Sequence, residues 1–326
     1  MFSVAEDREQ LARAEQAFAS RMLALTSQET NVTVGFSGQS FPLAVSWSEK
    51  LGIWMNFQPR DNGYRNAFGT ERPAPGRRTQ IACEINFPLT GVNRKIAGVV
   101  GTSDRAANLI AHRGKIGGRT GVGKSLFINR YAGAWEEFAD GGKVSRIALV
   151  GQLDAPEFPW QVADFIKQVD QIKRQVTNRP ATDALWQADL ALQSHAAPES
   201  NRGESELLAQ CNRGWIGTSL VTALASHGLV AVVGGSGELV ARRSDLTLVF
   251  EIRTDINTTS IFAGLGRLFF GQHGGRKEQL VLVTPPGLPI ATVKRLEELG
   301  VQTVHYSLGQ GAVDFIGLDQ LLQLNV

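Results

Sequence analysis

Apolar positions recur along the chain at two spacings, and their alternation outlines the elements. Residues 5–25 carry Leu11, Ala14, Phe18, Met22 and Leu25 at steps of three and four, which predicts a helix with one apolar face. NVTVGF, PLAVSW and GIWMNF follow, short and rich in β-branched or aromatic residues, and predict strands. DNGYRNAFGTERPAPGRR is dense in Gly, Pro and Arg and predicts a loop. QIACEINF, KIAGVVG and NLIAHR predict a second group of strands, with Arg94 and Lys95 at the start of one of them. SLFINRYAGAWEEF predicts a helix, RIALVG a strand, and PEFPWQVADFIKQVDQIKRQ a long helix with Phe158, Val162, Phe165, Ile166, Val169 and Ile172 on one face.

The pattern changes after residue 203. SELLAQCNRGWIGTSLVTALASHG predicts one or two helices stopped by Gly228. LVAVV, ELVAR and LTLVFEIR are three short strands, and DINTTSIFAGLGRLFFG is a helix opened by capping Asp and Asn. QLVLVTP, IATVKRLEELG and VQTVHYS then predict strand, helix and strand. Between the two patterns, Pro-containing small and polar residues mark a linker at 181–203, separating domains 1–180 and 204–326.

At 326 residues, 43% hydrophobic and 20% charged, the chain has ordinary globular composition and length for two cores. Two cysteines, Cys83 and Cys211, exclude a disulfide framework and a four-thiolate zinc site. The five histidines form no HExxH pair. Apolar runs end at about five residues, too short for a membrane span, and the N-terminus lacks a signal-peptide pattern. The expectation is a cytoplasmic protein with no membrane partner.

Charge is unevenly distributed. Arg72 to Arg130 holds eleven Lys or Arg against two acids, Glu84 and Asp104, within a chain of net charge +2. Such a basic segment implies an anionic partner. Within it, Gly118-Arg-Thr-Gly-Val-Gly123-Lys124-Ser125 fits the phosphate-loop pattern GxxxxGK[ST]. That loop needs an apolar strand running into its first glycine, whereas His112 to Gly117 is polar and glycine-broken. The alternative is a DNA clamp: Arg113, Lys115, Arg119 and Lys124 on a glycine-rich backbone, with Arg94 and Lys95 nearby, holding phosphates of double-stranded DNA.

The strand Leu246 to Arg253 places Leu246, Leu248, Phe250 and Ile252 on one face and Val249, Glu251 and Arg253 on the other. A carboxylate and a cation sharing the end of an apolar strand need to pair or to bind something. Asp245, six residues before Glu251, is about 20 Å away along a strand. A hairpin around Arg243-Ser244-Asp245 with a four-residue loop would instead put Glu238 directly across from Glu251, at about 5 Å. Glu204 or Glu206 on the preceding helix could add a further ligand.

Helix, three-strand meander, a strand ending in E-x-basic, then helix and strand resembles the PD-(D/E)XK nuclease superfamily over residues 204–326. The resemblance implies a restriction-endonuclease-like α/β core with a mixed sheet, behind an N-terminal α+β DNA-recognition domain. It implies Mg2+-dependent hydrolysis of DNA, with Glu251 and Glu238 holding the metal and Arg253 standing where the family has lysine. A homodimer is implied where both strands are cut. The sequence departs from the family at Arg253 and at Arg267, where such enzymes often carry glutamine, and it lacks an upstream Pro-Asp pair. Arginine stays protonated, so Arg253 stabilises charge but cannot act as a base. Two alternatives stand beside the endonuclease: a DNA-binding protein with an inactive nuclease-like core, and a phosphate-loop NTPase.

Overall fold

The computed structural model describes residues 2–36, 39–102, 108–117, 122–131, 133–175, 204–233, 238–243, 246–271, 277–309 and 311–323. Among them the chain is mixed α/β, with three mixed sheets and seven helices. It divides into two compact units, and among the described residues the passage from the first to the second falls between Cys211 and Asn212, inside a helix. The 181–203 segment expected as a linker is outside the described residues.

The first unit contains β1 (Phe2–Val4), α1 (Arg8–Leu23), β2 (Gln28–Phe36), β3 (Gln39–Ser48), β4 (Ile53–Arg60), β5 (Gly63–Gly69), β6 (Arg78–Thr79), β7 (Cys83–Glu84) and β8 (Phe87–Pro88). It continues with β9 (Gly98–Thr102), β10 (Leu109–His112), α2 (Lys124–Arg130), β11 (Trp135–Ala139), β12 (Val144–Gln152) and α3 (Phe158–Gln175). One sheet runs β6-β2-β3-β4-β5-β7, with β8 also against β5. The other closes into a five-stranded barrel, β1-β11-β12-β10-β9.

The apolar stripe of α1 is buried as its spacing predicts: Leu11, Ala14, Phe18 and Met22 pack with Phe158, Val162 and Phe165 of α3. Asp7 caps α1 by accepting from the Gln10 amide at 2.8 Å. In the barrel, Val99, Leu109, Ala111, Phe138, Ile147 and Leu149 form one core, while Val100, Ile110, Ala148 and Val150 join the helices. A β-bulge between Ile110 and Ala111 accompanies this closure.

Two expectations fail here for physical reasons. GYRNAFG is a strand, not loop: Asp61-Asn62 closes a hairpin in which Arg60 pairs with Gly63 and Trp54 with Gly69. The predicted helix SLFINRYAGAWEEF ends at Arg130, and Trp135–Ala139 becomes a strand because Glu136 and Phe138 alternate inward with period two.

The second unit holds most of α4 (Glu204–Ser226), then β13 (Val230–Val233), β14 (Glu238–Arg243), β15 (Leu246–Ile252), α5 (Thr258–Phe270), β16 (Lys277–Thr284), α6 (Ile290–Glu298) and β17 (Val301–Leu308). These follow the sequence pattern. β18 (Val313–Ile316) and α7 (Leu318–Gln323) extend it beyond what periodicity predicted. The sheet order is β13 to β18 in sequence. β13, β14 and β15 are an antiparallel meander, β15 to β16 and β16 to β17 are parallel, and β18 is antiparallel.

Helices cover both faces. Ile216, Leu220 and Leu224 of α4 and Leu321 of α7 pack on Leu248, Phe250 and Ile252. Ile261 and Leu268 of α5 and Leu296 of α6 pack on Val249 and Leu282. Gly228, at φ +77°, follows the C-terminal end of α4 as the sequence predicts. No helix among the described residues is long and apolar enough to cross a membrane.

One buried acid sets a pH dependence. Glu15, on the inner face of α1, is 7% exposed and accepts from Asn66 Nδ2 at 2.8 Å. Burial raises its pKa from the ordinary 4.5 to about 7, against the lowering effect of that hydrogen bond. The folded state therefore holds this proton more tightly than the unfolded chain. Stability is greatest below pH 4.5 for this group, falls between 4.5 and 7, and carries the full penalty of about 3 kcal/mol above pH 7. Glu15→Gln keeps the acceptor and removes the charge. Urea unfolding at pH 5 and pH 8 should show it stabilising at pH 8 and near neutral at pH 5; equal effects at both would refute the assignment.

Candidate functional site

The basic segment is the first place where sequence and structure part. Arg113 does not project outward. It is 7% exposed and pairs with Asp140 at 2.6 Å, at the turn joining β11 to β12. Arg94 joins the same carboxylate at 3.5 Å and donates to the Gly141 carbonyl at 3.0 Å. It lies before β9 rather than on it, and Lys115 Nζ donates to its backbone oxygen. These two arginines therefore brace a hairpin with charge that has an internal partner. Lys95, Lys115 and Lys124 are exposed, as are Arg77 and Arg78, so the segment still presents a cationic surface. Arg119 lies outside the described residues.

The phosphate-loop pattern finds no strand leading into it. β10 ends at His112, and residues 113–117 have no regular structure, with Gly114 at φ +73°. Gly118 to Gly121 are outside the described residues, and Lys124 is the first residue of the seven-residue α2.

A second constellation lies at the end of β15. The β14–β15 register pairs Glu238 with Glu251, and Val240 with Val249, which puts Glu238, Val249 and Glu251 on one face. Asp245 is outside the described residues, as are the side chains of Glu204 and Glu206. Glu251 is completely buried. Its Oε1 receives three guanidiniums: Arg213 at 3.0 Å, Arg253 at 3.2 Å and Arg267 at 3.4 Å. Among the described residues, its Oε2 has no hydrogen-bond partner.

Each arginine comes from a different element. Arg253 follows β15, where its backbone amide donates to Val283 of β16 at 2.8 Å. Its Nε donates to Ser260 Oγ at 3.0 Å, and the Ser260 amide donates to the capping Asn257 at 2.8 Å. The cap of α5 thus fixes Arg253. Gly264 allows the close approach: a Cβ there would lie 3.1 Å from Arg253 Cδ and from Leu282 Cδ1. Arg267, three residues further along α5, comes onto the same side. Arg213 comes from α4, one turn before Ile216.

Arg213 was missed by sequence reasoning, although a signal exists. It continues the stripe Ile216, Leu220 and Leu224, so a lone arginine stands on an otherwise apolar helix face.

Burial raises the pKa of Glu251, while Arg213, Arg267 and Arg253 pull it down and Glu238 adds to the rise. The same desolvation lowers Arg213, with Glu251 opposing that change. Among the described residues, the charged groups acting on Glu251 are thus the guanidiniums of Arg213, Arg267 and Arg253 and the carboxylate of Glu238.

Mg2+ is commonly held by one or two carboxylates with substrate phosphates. Glu251 and Glu238 supply two, but one oxygen of Glu251 is already matched by three guanidiniums.

Compared with protein-family models, curated proteins and solved structures, the chain matches none.

The cluster depends on its buried acid. Glu251→Ala would leave three arginines facing an uncompensated site and should lower the unfolding free energy by about 3 kcal/mol or more. Arg267, with its side chain 41% exposed, should cost only about 1 kcal/mol on truncation to alanine. Urea titrations of both variants check this, and a reversed order would mean that Glu251 does not hold the arginines.

Proposed function

We propose that the chain is a DNA-binding protein whose second unit is a nuclease-like core that does not hydrolyse DNA. The observation that carries this reading is the convergence of Arg213, Arg253 and Arg267 on one oxygen of the buried Glu251. An acid so neutralised is a poor metal ligand, and Arg253 cannot give up a proton as the lysine of the resembled family can.

The nuclease-like part of the reading is supported by the meander followed by a parallel crossover through α5. DNA as partner is supported by the exposed cations of the first unit. A core that does not cut removes the reason for expecting a homodimer.

A second reading, the Mg2+-dependent endonuclease, is favoured by the register that sets Glu238 directly opposite Glu251. Supercoiled plasmid with Mg2+ separates the two. The wild type should leave the plasmid intact while retarding it in a gel. Nicking that disappears in Glu251→Gln would establish the endonuclease instead.

The lysine surface has its own test. Replacing Lys95, Lys115 and Lys124 together by alanine should weaken duplex binding and reduce the slope of log affinity against log salt by about one unit per lysine. An unchanged slope would place the phosphate contacts elsewhere.

A further inference from the structure

We propose that the outer face of α5 is a self-association surface, through which two copies of the chain pair antiparallel about Gly266. The inference goes beyond the reading above and stands on this helix alone, whether or not the core cuts DNA.

A helix laid on a sheet needs one apolar side, with polar residues on the other. The inner side of α5 is filled as expected: Ile261, Gly264 and Leu268 are buried, and both Ile261 and Leu268 pack on Val249 and Leu282. The outer side is apolar as well. Phe262 is 68% exposed, Phe269 44% and Phe270 88%, with exposed Ala263 and half-buried Gly266 among them. The one charged residue of the helix, Arg267, reaches Glu251. Three exposed rings on one stripe form a contiguous patch of the kind that marks an interface.

The spacing names the occupant. Phe262 and Phe270 stand four residues either side of Gly266, and Ala263 and Phe269 stand three either side. Steps of three and four share a helix face, so Gly266 is the centre of the stripe. A two-fold antiparallel pair centred there sets Phe262 and Ala263 of one copy against Phe269 and Phe270 of the other, at both ends at once. A Cβ at Gly266 would meet nothing within 4 Å among the described residues. Two facing glycines thus leave a notch that lets the helices approach while the rings fill the ends. A membrane surface would instead call for lysine and arginine beside the stripe, where α5 begins with Thr258 and Thr259.

The three rings expose about 400 Å² per copy, taking about 200 Å² for each whole side chain. The pair would bury about 800 Å² from these alone, in the range of weak, reversible complexes. The dimer is therefore concentration-dependent rather than obligate.

Sedimentation equilibrium of the full chain should show monomer and dimer exchanging with concentration. Phe270→Glu should raise the dissociation constant by more than about tenfold, since each carboxylate would be buried among rings. Its circular dichroism should be unchanged, and so should its melting temperature where the wild type is monomeric. Gly266→Leu should also weaken pairing by filling the notch, while its stronger helix propensity raises the melting temperature of the monomer. Gly266→Cys puts a thiol on the two-fold axis, and the native Cys83 and Cys211 are buried. Mild oxidation should join two copies of Gly266→Cys and leave Thr259→Cys, two turns away from the axis, unjoined.

A wild type that is monomeric at every concentration overturns the proposal. In that case a lower melting temperature in Phe270→Glu means that the chain covers this face itself, and an unchanged one leaves the face to a different protein. A dimer that survives Phe270→Glu also overturns it, as does equal crosslinking of Gly266→Cys and Thr259→Cys.

Discussion

A carboxylate taken wholly out of water must be compensated, and the second unit is arranged around that demand. Glu251 sits at the end of an otherwise apolar strand with no exposure to solvent. Its compensation comes from α4, the residue after β15, and α5, each supplying one arginine. Satisfying one buried acid in this way also ties three elements together, because each arginine is set by the packing of its own segment. The Asn257 cap, Ser260 and Gly264 all act to bring α5 against the stem of Arg253.

The same constraint works in the first unit. Asp140, nearly fully buried, is met by Arg113 from below 10% exposure and by Arg94 from the surface. Part of a strongly basic segment is thereby used to close a hairpin of the barrel. Net charge along a stretch of sequence therefore overstates the charge offered to a partner. Among the described residues, exposed Arg77, Arg78, Lys95, Lys115 and Lys124 are what is offered.

Much of the second unit was legible because its elements obey simple periods and carry explicit stops: Asn257 before α5, Gly228 after α4, alternation in β15. Hairpin arithmetic brought Glu238 opposite Glu251, and strand alternation put Arg253 on the same side. Arg213 was not legible as a partner because it lies 38 residues before Glu251 and meets it only through tertiary packing. The burial of Arg113 was hidden for the same reason, its partner Asp140 lying 27 residues later. The barrel was harder still. Its strands are three to nine residues long, and β1 pairs with β9 and β11, about a hundred residues away or more. Short strands carry little periodic signal, and non-local pairing leaves none.

The difference between a metal centre and an arginine cluster is directly measurable as heat. Titration of Mg2+ into the full chain at low ionic strength should give only dilution heats, because the carboxylates at β14 and β15 face three guanidiniums. A saturable, one-to-one Mg2+ binding isotherm that vanishes in Glu251→Gln would contradict this and make the site a metal centre.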